Sequence, residues 1–529
     1  MELNISYSST LHNKTDEIDD QKLEERKKSF KPTCTLSRLI IQENYANKLR
    51  KQRKCELYSF KRAKFMMPET TPIPSNSILN SSNKPTIEDL HFICQAITNP
   101  IDQALILPLL QKLRILLCGR QDHTKILEKY NIVPKLIQLL DYLCEKIQYE
   151  SLWILINMTA MNYSHQVFSL GGHVKLVNLL GANDSVKEVA IWVLGNMAGE
   201  SEELRKELLR VGVLEKVVEL FKEGSNKLKL VKTACWTIRN LFKGQEPPST
   251  KVITPFVKLL SFLISSKEDK EVEIGLEGLF GITMNINVDT THVVDKINVK
   301  ALINCANRKE ASIRNKALQI IGNICLGESN DIKKLIENGL VTVISNVLKN
   351  VKDKKVLEEV CWFTSNIALG PTNHIQYLID GFIFHSLAKL VLDSSDNRQD
   401  AAFALINGCM QGSELQKVQI CSAGGLEAFA YLLRMENAKL LMAVLEVLDE
   451  ILCIGDEENN ALTKQLDELD GVSKLEQLQF HPNCDIINKA QQLLDKYFET
   501  YPLFQDNKQD DVEMKDMKSD REESQSEDD

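Results

Sequence analysis

Each of the four tryptophans in this chain stands four residues before an asparagine: Trp153 and Asn157, Trp192 and Asn196, Trp236 and Asn240, Trp362 and Asn366. Two further frames keep the asparagine alone, Gln319 with Asn323 and Phe403 with Asn407. A degenerate frame, Glu277 with Gly281, keeps neither. Residues four apart share one face of a helix. An indole face covers a lysine stem and attracts its ammonium, an effect of about 0.5–2 kcal/mol. An amide offers a donor and an acceptor, enough to hold the backbone of an extended peptide without reading its side chains. Acids at the ends of such slots select Lys or Arg. This is binding chemistry. A competing explanation is that Trp and Asn only finish a helix, the asparagine bonding the turn that follows. Six asparagines in register are easier to account for as a ladder along a groove than as six separately satisfied core amides.

Reaction chemistry finds no comparable set. There is no phosphate-binding glycine loop, no dinucleotide fingerprint, no H-E-x-x-H and no metal-spaced Cys/His group. His91 and Cys94 form a lone H-x-x-C that reads as packing, and the nine histidines are dispersed. The sequence therefore reads as a non-enzymatic binding protein with no cofactor.

The elements that position the ladder are helices. Taking the Trp position of each copy, the markers fall at 153, 192, 236, 277, 319, 362 and 403, at intervals of 39 to 44 residues. That is the period of armadillo and HEAT repeats, two or three helices per unit. One such unit cannot bury its apolar face alone, so units stack into a solenoid with a long groove. Residues 111–120 look like the end of an earlier repeat, and 413–500 accommodate two more. The expected fold is an all-α solenoid of about nine to ten repeats. Few aromatics (6%), 14 prolines and 23 glycines in 529 residues agree with helices throughout.

Composition divides the chain into a polar, disordered start (1–30), a basic segment (31–66), a Pro/Ser/Asn-rich flexible linker (67–85), the repeat body (86–500) and a disordered acidic tail (501–529). The basic segment carries Lys48, Arg50, Lys51, Arg53, Lys54, Lys61, Arg62 and Lys64 against the single acid Glu56 between 48 and 64. A net charge of −9 leaves no global excess of cations for nucleic acid, although the basic segment alone keeps that alternative open. No apolar run is long enough to span a membrane. The 13 cysteines form no C-x-x-C pair and read as reduced core thiols, Cys235, Cys325, Cys361 and Cys409 among them.

With the ladder, the order of repeats and the basic head in place, the body from about residue 44 to 500 resembles the importin α family. EVAIWVLGNMAGES is similar to the family's third repeat and EEVCWFTSNIALG to its seventh, while KLRKQRKCEL with KRAK resembles its importin-β-binding segment. The resemblance implies an armadillo-repeat right-handed superhelix that adapts cargo bearing basic nuclear localization signals to importin β. It implies a major signal site at Trp153, Asn157, Trp192, Asn196, Glu200, Trp236 and Asn240. It implies a minor site at Asn323, Glu359, Trp362, Asn366, Asp400, Phe403 and Asn407. It further implies a self-inhibiting head at Lys61, Arg62 and Lys64, an export receptor for the adaptor, and shuttling between cytoplasm and nucleus, with no direct nucleic-acid or membrane binding. Departures mark a divergent paralogue: Glu277 and Gly281 where the family has Trp and Tyr, Gln319 for an Arg, Phe403 for a Trp, Met161 for a Gly, and only Arg38 left of a first basic cluster. The alternative is an armadillo scaffold without a transport role, whose groove for acidic peptides would be lined by Lys and Arg.

Overall fold

The computed structural model describes residues 87–498, apart from 101, 118–123, 222–226, 245, 286, 394–396 and 455–460. The basic segment, the linker and the acidic tail lie outside the described residues, as do the boundaries drawn between them.

Long third helices form the spine. They are α1 (Ile106–Leu117), α2 (Glu145–Thr159), α3 (Asp184–Glu200), α4 (Leu228–Leu241), α5 (Asp269–Thr283), α6 (Ala311–Ile324), α7 (Lys354–Ala368), α8 (Arg398–Gln411), α9 (Ala438–Leu452) and α10 (Cys484–Tyr497). Each packs against the next, so the row is unbroken from α1 to α10. A second row, for example Ile132–Leu139, Thr254–Ile264 and Ile383–Asp393, packs behind it. Short first helices such as Glu202–Arg210 close each repeat. No strand occurs among the described residues.

Local sequence explains the repeat. Four third helices start at side-chain caps: Asn183 accepts from the Val186 amide, Asp353 from Val356, Asn437 from Leu440 and Asn483 from Asp485. In seven repeats the corner between first and second helices holds a left-handed residue. Gly171, Gly212, Gly339 and Gly424 supply it without steric cost, Asn131 and Asp470 at small cost, and Phe382 (φ 55°) against its own Cβ.

The spine helices are apolar on most sides because a second helix lies behind and a spine helix lies on either flank. In α2 everything from Glu150 to Thr159 is buried. One continuous core runs from Leu90 to Leu494. Cys235, Cys325, Cys361 and Cys409 are buried free thiols within it, as expected. Burial pushes the Cys94 thiol, at the first end of the core, up to about 12. No single described helix is long and apolar enough to cross a membrane.

Candidate peptide-binding groove

The expected site residues lie on the spine helices, one set per helix, with the asparagines of α2, α3, α4, α7 and α8 buried. Trp153 and Asn157 lie on α2, Trp192, Asn196 and Glu200 on α3, and Trp236 and Asn240 on α4. Asn323 lies on α6, Glu359, Trp362 and Asn366 on α7, and Asp400, Phe403 and Asn407 on α8. Adjacent members of each set are brought together, because α2, α3 and α4 touch in turn and so do α6, α7 and α8. The two sets are separated by α5.

The asparagines do more inside the fold than a free ladder would. Asn196 donates to the Ile156 carbonyl at 3.1 Å and to Thr159 Oγ1 at 3.0 Å. Asn240 donates to the Gly195 carbonyl at 2.8 Å, and Asn407 to the Ser365 carbonyl at 3.1 Å. In each case the acceptor is the residue just before the Asn of the preceding repeat. Asn323 donates to Thr283 Oγ1 of α5 at 3.3 Å. The expectation of amides wholly devoted to the groove is therefore corrected, and so is the alternative of amides bonding the following turn. The N–H₂ group faces backwards and stitches one spine helix to the one before. The physical reason is that a spine helix also needs a polar tie where its neighbour's carbonyls are shielded from water. Asn157 is fully buried with neither amide atom partnered, and Asn366 leaves its Nδ2 unpartnered. Asn240 Oδ1 accepts from the chain's own Lys243 at 2.6 Å.

The tryptophans are also unequal. Trp153 is buried, its edge-to-face partners being Tyr149 on one side and Trp192 on the other, the latter with ring centroids 5.6 Å apart. No lysine stem fits between two rings that touch, so the slot expected between Trp153 and Trp192 is closed. Trp192 and Trp236 are half-buried. Trp236 lies on Gly195: a Cβ added there would be 2.3 Å from its ring. Trp362 and the Glu359 carboxylate lie in the same way on Gly322, where a Cβ would stand 3.0 and 2.8 Å away. Glu200 closes α3 with one carboxylate oxygen shielded from water and without a hydrogen-bond partner.

Several groove residues escaped sequence reasoning. On the repeat between the two sets, Arg239 of α4 donates to Glu277 of α5 at 2.8 Å, and Lys316 of α6 reaches the other oxygen of Glu277 at 3.2 Å. The Lys316 ammonium also stands 4.1 Å from the centre of the Phe280 ring, and the Arg239 guanidinium 5.4 Å from it. Gly281 makes room for the Arg239 stem, since a Cβ there would be 2.7 Å from Arg239 Cβ. The degenerate repeat is thus a rebuilt one. Its sequence signal was a charge alternation at one-repeat spacing, Arg239, Glu277, Lys316. Earlier along the groove, Arg114 of α1 holds the buried Glu150 of α2 at 2.5 Å, and Glu188 of α3 holds Lys229 of α4 at 3.0 Å.

Comparison with known proteins agrees with this architecture. Residues 201–243 match the Armadillo/beta-catenin-like repeat, and residues 460–510 match the Atypical Arm repeat. The crystal structure of an engineered protein superposes with a TM-score of 0.66 at 22% identity, covering 77% of this chain and 98% of its own, a likeness of fold. Importin subunit alpha-3 of Arabidopsis thaliana is 29% identical over 382 residues, 69% of this chain and 71% of the relative. Importin subunit alpha-5 of the same plant is 26% identical over 469 residues, 86% of this chain and 88% of the relative. Importin subunit alpha-1b of rice (Oryza sativa subsp. japonica) is 26% identical over 381 residues, 69% and 71% of the two chains. The chain is thus similar to importin α subunits over most of its length, at an identity that marks it as divergent from them. The armadillo-repeat match and these relatives agree with a helical repeat body that serves binding.

Proposed function

We propose that the spine binds basic nuclear localization signals in two places, one on α2–α4 and one on α6–α8. The observation that carries this reading is the surroundings of Glu200. It ends the helix that carries Trp192 and Asn196 with a shielded, unpartnered oxygen, and an unpaired buried acceptor is costly until a donor arrives. A lysine whose stem lies along the indoles brings that donor, with its charge paired and its methylenes buried. On α7 and α8, Glu359, Trp362, Asp400 and Phe403 repeat the combination of acid and aromatic, all half-buried.

The basic segment, Lys48 to Lys54 above all, links cargo to importin β by charge. Lys61, Arg62 and Lys64 compete with cargo for the same groove. The tether favours them, because nineteen linker residues span roughly 24 Å on average and hold the head at high effective concentration. An export receptor returns the adaptor to the cytoplasm. These assignments rest on family resemblance and on the charge of the segment.

The test is binding of a fluorescent basic signal peptide to the full chain. Asn196→Ala and Trp192→Ala each weaken it by about 5–30-fold, the equivalent of about 1–2 kcal/mol. Replacing Lys61, Arg62 and Lys64 together by alanine strengthens it. A full chain that binds no basic peptide, with or without those three replacements, sinks the reading.

A further inference from the structure

Between the two proposed sites the groove changes character. Elsewhere an indole of one spine helix lies on a glycine of the helix before, Trp236 on Gly195 and Trp362 on Gly322. At α5 the roles are exchanged. The residue at the indole position is Glu277, and the residue beneath it is Arg239. Glu277 holds one cation with each oxygen, Arg239 behind and Lys316 ahead, and Phe280 offers its ring to both. All three charged side chains are partly open to solvent, at 24, 38 and 28% exposure for Arg239, Glu277 and Lys316. They line the path that a peptide must cross to reach both sites.

We infer that Glu277 is a specificity-determining residue that closes the middle of the groove to the charge of a bound peptide. The inference rests on the basic-peptide reading above. A lysine of the peptide arriving here meets two cations for one acid. A glutamate of the peptide finds both cations already paired with Glu277. The bridge between two basic clusters is therefore crossed without being read, and this adaptor accepts acidic and neutral bridges alike. Removing the carboxylate leaves Arg239 and Lys316 facing each other across α5, a site made for an acidic side chain of the bridge.

The experiment uses the full chain and two fluorescent peptides with the same pair of basic clusters. In one the bridge is Ala and Ser; in the other its central residues are Glu. The native protein binds both equally, within about twofold. Glu277→Ala prefers the acidic bridge by about fivefold, the scale of one partly exposed ion pair, and Glu277→Gln shows the same direction. A peptide with a single basic cluster binds native protein and both variants alike, and the circular dichroism melts of the variants establish that they are folded. A native protein that already prefers the acidic bridge fivefold, or variants that stay indifferent to it, overturns the inference while leaving the basic groove standing. If the single-cluster peptide also fails to bind native protein, the groove reading falls and this inference with it.

Discussion

Gly195 bears two contacts at once. A Cβ at this position would stand 2.3 Å from the Trp236 ring and 2.5 Å from Thr237 Oγ1, and both side chains are held by α4. Neither is the free end of a long chain, so they cannot swing aside. Gly195→Ala should therefore destabilise by about 1–3 kcal/mol through overpacking, despite alanine's better helix propensity. Chemical denaturation checks it. Asp449 makes a second case. Burial alone would raise its pKa, but hydrogen bonds from Lys489, Lys496 and Tyr497 outweigh this and hold it at about 2. A carboxyl whose folded value lies below its ordinary one stabilises above that ordinary value and loses the contribution as pH falls through the folded value. The tie between α9 and α10 should hold at neutral pH and loosen between about pH 4 and 2. Hydrogen exchange of α10 amides at low pH measures it, and Asp449→Asn should remove the pH dependence.

At the scale of elements, the corner between first and second helices is one motif written seven ways. Phe382 is its costliest spelling, a bulky residue with φ 55° and a 70% exposed ring that gains little from burial. Phe382→Gly should raise stability by about 0.5–1 kcal/mol, the left-handed penalty less glycine's entropy. The shift of the thermal midpoint reads it. The spine helices themselves were legible in the sequence, because the Trp and Asn markers sit at a constant depth in each. What could not be read was direction. Asn196 and Asn240 share a face with Trp192 and Trp236, but sequence periodicity does not say whether an amide turns outward to a peptide or back to the neighbouring helix. The structure has each N–H₂ turned back. Glu277 and Gly281 escaped for another reason. Read one repeat at a time they are losses, and only with Arg239 and Lys316 from the repeats on either side do they become a substitution with its compensation. Contacts across a 40-residue repeat are visible only when neighbouring repeats are compared with the helix offset included, Arg239 standing three residues after its marker and Lys316 three before.

At the scale of the molecule, a solenoid holds itself together by neighbours alone. A lesion at α3 and α4 should therefore stay local. In Gly195→Ala, hydrogen exchange should quicken in the repeats around α3 while α8 to α10 keep native protection, so that calorimetry and probes placed at the two ends no longer melt together. The two proposed sites also become energetically separable, since α5 lies between them and its charges are satisfied within the fold.

The backward stitch has one more consequence. Asn196, Asn240, Asn323 and Asn407 each reach toward a helix encoded earlier. On the ribosome, where the beginning of the chain emerges first, these four amides find their acceptors on helices already made. The backward amides suit a chain laid down from its first helices toward its last.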